Sequence, residues 1–111
     1  MTDRELLEEA SKVAGIPGLK YWRSPRLSGW IYAYKDAYDF KRWNPLEDDG
    51  DALRLAVNLG LLINVCIDEE PFNESYAATK SRAFRLKHES DPFAATRRAI
   101  VRAAAEIGSK V

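Results

Sequence analysis

The run Asp48-Asp49-Gly50-Asp51-Ala52-Leu53-Arg54-Leu55-Ala56-Val57-Asn58-Leu59-Gly60 passes without a spacer into Leu61-Leu62-Ile63-Asn64-Val65-Cys66-Ile67. The first part carries the signals of a capped helix. Asp48 or Asp49 can accept from the free amides of a first turn, Asp51 adds negative charge where the macrodipole favours it, and Gly60 suits a left-handed stop. Its polar side chains Arg54 and Asn58 stand four apart, which predicts a narrow wet stripe on an otherwise buried helix. The second part alternates, with Leu61, Ile63, Val65 and Ile67 on one face and Leu62, Asn64 and Cys66 on the other, which predicts a strand near the centre of a sheet. A helix running straight into an apolar strand makes the chain α+β.

Working outward, Thr2 and Glu5 form a capping box for a first helix whose apolar residues Leu6, Leu7, Ala10, Val13 and Ala14 share one face, stopped by Gly15 and Pro17. Gly29 to Lys35 reads as a strand with Trp30, Tyr32 and Tyr34 on one face and Ile31 and Ala33 on the other. Lys20 to Arg23 is its expected hairpin partner, reached through turn signals at Ser24-Pro25 and Ser28-Gly29. After the acidic turn Asp68-Glu69-Glu70-Pro71, Ser81 to His88 reads as a strand. Asp91 and Pro92 then start a last helix with an apolar stripe of Ile100, Val101, Ala104, Ile107 and Gly108. The expected order is α-β-β-α-β-β-α, a small mixed or antiparallel sheet of about four strands packed by three helices. Leu53, Val57, Ile63, Val65, Ile100, Val101 and Ala104 are the expected core.

A chain of 111 residues with 46% apolar and 31% charged residues is of a length and composition to fold as one domain over residues 1–111. Its single cysteine, Cys66, excludes an internal disulfide and a cysteine-based zinc site, and suits a reducing compartment. The N-terminus lacks the basic-then-apolar pattern of a leader, and the run Leu59 to Ile67 is too short to span a bilayer. A cytoplasmic protein without a membrane partner is expected. The net charge of zero conceals blocks: residues 18–43 hold six basic and two acidic groups, and residues 44–75 hold one and eight. Such blocks arise from caps and strand edges, or from a positive face for an anionic partner.

Two stretches resemble the phage ABA-sandwich domain family, small proteins of tailed-phage and prophage genomes. They are Trp43-Asn44-Pro45-Leu46-Glu47-Asp48-Asp49-Gly50-Asp51-Ala52-Leu53-Arg54-Leu55-Ala56-Val57 and Ala94-Ala95-Thr96-Arg97-Arg98-Ala99-Ile100-Val101-Arg102-Ala103-Ala104-Ala105-Glu106-Ile107-Gly108. With the leading helix they cover the beginning, middle and end of the chain, leaving residues 16–42 and 67–90 without a counterpart. The resemblance implies an α/β/α sandwich and a phage or prophage setting, hence the host cytoplasm. It brings no catalytic residues, cofactor or substrate.

No phosphate-cradling glycine motif is present. The carboxylates Asp48, Asp49 and Asp51 serve either as helix caps or as hard-cation ligands, and capping accounts for all three. His88, the sole histidine, would need a distant serine or Cys66 to build a nucleophile, and a cysteine on a buried strand is usually inert. No enzyme, cofactor or metal is therefore expected. The remaining candidate is Lys20, Tyr21, Trp22, Arg23 and Arg26 with Trp30, Tyr32 and Tyr34, where cations alternate with rings. Such a stretch is either strand packing with solvated edge charges, or a surface for a protein partner, or one for single-stranded nucleic acid. A non-enzymatic protein binder is the leading expectation, and a weak single-stranded nucleic-acid-binding module is the alternative.

Overall fold

A computed structural model describes residues 1–16, 18–24, 26, 29–67 and 73–111. Helix α1 (Asp3–Val13) leads into strands β1 (Lys20–Arg23), β2 (Trp30–Lys35) and β3 (Phe40–Arg42). Helix α2 (Asp49–Leu59) follows, then β4 (Leu62–Cys66), β5 (Glu74–Ala78), β6 (Ala83–Lys87) and helix α3 (Pro92–Gly108). The expected features at Pro17, Ser24-Pro25, Ser28-Gly29 and Asp68-Glu69-Glu70-Pro71 involve residues outside those described.

The three helices start where the side chains direct. Thr2 and Glu5 close a reciprocal capping box on α1. Asp48 accepts from the Asp51 amide at 2.8 Å, and Gly60 ends α2 at φ 64°, a conformation that glycine adopts without the Cβ clash of other residues. Asp91 accepts from the amides of Phe93 and Ala94, with Pro92 in the first turn, where its missing N–H costs nothing.

The strands depart from the expected order. Two antiparallel three-stranded sheets, β1-β2-β3 and β4-β5-β6, replace one sheet of about four strands. The additional strands are β3, three residues long, and β5, whose Glu74-Ser75-Tyr76-Ala77-Ala78 mixes small and polar residues and has no strong strand signal. Between α1 and α2 lie three strands, and between α2 and α3 another three. Among the described residues β4 pairs only with β5, which makes it an edge strand and not a central one.

Helix α3 is the centre of the molecule, packing against α1, α2 and the β4-β5-β6 sheet. Its Ala99, Ile100, Val101, Ala103, Ala104, Ala105 and Gly108 are buried, and the small side chains let its neighbours approach closely. Ser75 and Ala77 of β5 face it, flanked in register by Ile63 and Val65 on β4 and Phe84 and Leu86 on β6. Among the residues described, no helix is long and apolar enough to cross a membrane.

The expected core is confirmed at Ile100, Val101 and Ala104 and corrected elsewhere. Leu53 is 60% exposed, Val57 70% and Val65 41%, while Ile63 is half-buried and packs against the core. Helix α2 buries only Ala52, Leu55 and Ala56, the face turned towards α3. The core is completed by Leu6, Leu7 and Ala10 of α1 and by Tyr32 and Trp43.

Residues 43–57 and 94–108 are locked to each other. From α3, Arg97 donates to the Leu46 carbonyl at 2.9 Å and pairs with Asp49 at 2.7 Å, fastening the entry to α2 against the middle helix.

Candidate functional site

The β1-β2-β3 sheet divides the candidate stretch between two faces. Tyr21 stands opposite Tyr32, Arg23 opposite Trp30 and Tyr34 opposite Lys41, so these six share one face. Its Tyr32 and Tyr34 turn towards the body of the protein, while Tyr21, Arg23, Trp30 and Lys41 stay exposed around them. Tyr32 is buried, Tyr34 is half-buried, and the Arg4 guanidinium of α1 lies 4.1 Å from the Tyr21 ring centre and 4.5 Å from that of Trp30. Burial pushes the Tyr32 phenol up, with Arg4 opposing it. Tyr21, Trp30, Tyr32 and Tyr34 thus tie the sheet to α1 through packing and cation–π contact.

The other face holds Lys20 and Trp22 on β1, Ile31, Ala33 and Lys35 on β2, and Phe40 and Arg42 on β3. Trp22 is 42% exposed and Phe40 51%. Their rings meet edge to face, with centres 6.4 Å apart and planes at 77°. Lys20, Lys35 and Arg42 are exposed around them, and no acidic residue occupies any of these seven strand positions. Trp22 and Lys20 are therefore the members of the candidate stretch that reach this surface. Arg26 is exposed in the β1–β2 connection. Phe40 and Arg42 were not singled out by sequence, because a three-residue strand offers no readable alternation.

The β2–β3 turn sets the position of Phe40. Asp36 accepts from the amides of Asp39 at 2.8 Å and Tyr38 at 2.9 Å and pairs with Lys41 at 3.1 Å. The two amide bonds and then the Lys41 ammonium hold its carboxyl down at about 2, from an ordinary 3.8. A depressed carboxylate stabilises the folded form above its ordinary pKa. Its contribution to the hairpin should be complete above about pH 4 and disappear as the pH falls through about 2. Amide chemical shifts of Tyr38 and Asp39 followed through that window check this, and shifts that titrate near pH 4 would contradict it.

The acidic cluster at the start of α2 is occupied by structural work. Asp48 caps the helix, Asp49 pairs with Arg97, and Asp51 accepts from the Asn44 amide at 2.9 Å and from Arg54 at 2.8 Å. Replacing Asp48 with alanine should cost about 0.5–2 kcal/mol in chemical denaturation, the range for a lost N-cap. Among the described residues, no group of three histidine, cysteine or acidic side chains could hold a metal ion.

His88 has partners that its charged neighbours Lys87 and Glu89 gave no reason to expect. Its Nε2 lies 2.6 Å from Ser75 Oγ and its Nδ1 3.0 Å from Asn73 Oδ1, while Ser75 Oγ lies 2.7 Å from Thr96 Oγ1. Thr96 donates its hydroxyl proton to the Pro92 carbonyl at 2.7 Å, and the Ser75 side chain between Thr96 and His88 is completely buried. The network joins β5, the end of β6 and α3. Cys66, half-buried on β4, contacts Asn64 at 3.7 Å.

No family model matches this chain, and no curated protein or solved structure does either. The class defined by fold and surface is a small α+β module with an exposed aromatic and basic sheet face.

Proposed function

We propose that this protein is a non-enzymatic accessory factor of phage or prophage origin that acts in the host cytoplasm by binding a protein partner through the outer face of β1-β2-β3. The observation that carries the reading is the pair Trp22 and Phe40, exposed at the centre of a face whose charged positions, Lys20, Lys35 and Arg42, are all cationic. An apolar aromatic centre within a charged rim is the usual anatomy of a protein interface, and tryptophan and arginine supply much of the binding energy there. The phage setting rests on the resemblance of residues 43–57 and 94–108, and the α/β/α sandwich description rests on the same resemblance.

Single-stranded nucleic acid is the second reading, favoured by the absence of acids from this face. Flat stacking on successive bases needs ring faces open to the strand, and two rings at 77° to each other present one compact knob instead. The net charge of zero also falls short of the basic balance typical of nucleic-acid modules.

Trp22→Ala should abolish capture of a partner from host extract while changing folding stability by no more than about 1 kcal/mol, the scale of one exposed aromatic pair. Arg42→Glu should weaken capture without affecting folding. Titration of the unaltered protein with a thymidine 20-mer, read by tryptophan fluorescence, tests the second reading. Binding that weakens steeply with salt would replace the protein-partner reading with nucleic acid.

A further inference from the structure

A second surface lies where α2, α3 and β4 meet. Helices α2 and α3 and strand β4 enclose an open groove of about 400 Å³. Among its lining residues Leu53, Val65, Ile67 and Phe93 are each more than two-fifths exposed, and Val57, one turn beyond Leu53 along α2, is 70% exposed. Its charged floor residue, Arg97, is already neutralised by Asp49 at 2.7 Å. Both elements that the sequence marks for burial on several sides, α2 and β4, leave their uncovered sides here.

Strand β4 identifies what covers them. Of the six strands described, it is the one without a charged residue, and it stands at a sheet edge. The opposite edge, β6, carries Arg85 and Lys87, while β1 carries Lys20 and Arg23 and β3 carries Lys41 and Arg42. Proteins normally guard free edges with such charges, because unpaired N–H and C=O groups recruit another strand. An unguarded edge beside an apolar groove calls for a strand that brings its own apolar side chains.

We propose that a second copy of this chain supplies that strand, the two β4 segments pairing antiparallel about a two-fold axis at Asn64. The sequence is self-complementary in that register. Ile63 meets the partner copy's residue 65, Leu62 meets residue 66, and the two Asn64 amides face each other, able to exchange hydrogen bonds. Two three-stranded sheets become one of six, and Leu53 and Val57 lose their exposure to water. The area suffices: the five side chains expose on the order of 500 Å² per copy, at the upper end of what a monomer leaves open. Burying both patches removes about 1,000 Å² in total, the threshold of a specific interface, before any main-chain pairing is added. The dimer leaves Trp22 and Phe40 uncovered, so the module would present its aromatic face twice.

Sedimentation equilibrium of the unaltered chain between about 1 and 100 μM tests the proposal, with a dimer expected across most of that range. Leu53→Lys, on the exposed side of α2, should raise the dissociation constant about 100-fold or more because two-fold symmetry buries two unpaired ammonium groups, and helical circular dichroism should be retained. Asn64→Cys in a Cys66→Ser background should form a disulfide-linked dimer on mild oxidation. A monomer at 100 μM overturns the proposal, as does a dimer indifferent to Leu53→Lys or one that the Asn64→Cys chain cannot cross-link. A monomeric chain that captures a synthetic strand-forming peptide on β4 would assign the groove to a foreign strand instead.

Discussion

Replacing Gly108 with alanine is expected to destabilise the protein by about 2–3 kcal/mol, a fall in melting temperature of roughly 10–20 °C for a chain of this size. An exposed helical site would respond in the opposite sense, since alanine is favoured over glycine by about 1 kcal/mol. Here α1 crosses so close to α3 that an added Cβ would lie 1.9 Å from the Glu9 carbonyl oxygen and 2.8 Å from its carbon. Those are main-chain atoms in the middle of α1 and cannot rotate aside. The whole helix must shift, and Leu6, Leu7 and Ala10, all buried against α3 and its neighbours, shift with it. A thermal melt of Gly108→Ala checks this. An unchanged or raised midpoint would show that α1 does not sit on α3 at this distance.

Ile100→Ala is expected to cost about 2–5 kcal/mol, the range for truncating a buried aliphatic side chain in a packed interior. Ile100 is 4% exposed on the helix that packs against α1, α2 and the β4-β5-β6 sheet. Denaturant unfolding of the variant measures the loss directly. Native-state hydrogen exchange supplies a second reading, because amides of α3 should exchange only through global unfolding. A loss below about 1 kcal/mol, or early exchange along α3, would contradict its central position.

The three helices were legible because their signals are local. Thr2 with Glu5, Asp48 with Gly60, and Asp91 with Pro92 each act on backbone groups within a few residues, and each is found doing so. The pairing of β1 with β2 was legible for a similar reason, as two alternating runs are joined by a short connection. Strands β3 and β5 were not. Three residues cannot display a period, and Glu74-Ser75-Tyr76-Ala77-Ala78 becomes a strand because β4 and β6 hold it from both sides.

The candidate surface divides along the same line. Composition pointed to residues 20–34 as a place where rings and cations gather, and Lys20, Tyr21, Trp22, Arg23, Arg26 and Trp30 are exposed there. Composition could not assign faces, because alternation gives two sets of side chains and no indication of which one α1 will cover. Arg4 lies over Tyr21 and Trp30, which stay 37% and 44% exposed at the edge of the face that buries Tyr32, while Trp22, 42% exposed, meets Phe40 on the other face.

Local chemistry therefore determined where the helices begin, where α1 and α2 end, the β1–β2 hairpin and the general location of the aromatic and basic residues. Tertiary structure alone decided that six strands form two sheets, that β4 lies at an edge, that Leu53 and Val57 stay in water, and that His88 binds Ser75. The physical reason is range. Caps and turns are satisfied by neighbours in the chain, whereas burial and strand order depend on contacts between distant segments, and many pairings serve the same apolar pattern equally well until α3 takes its place among them.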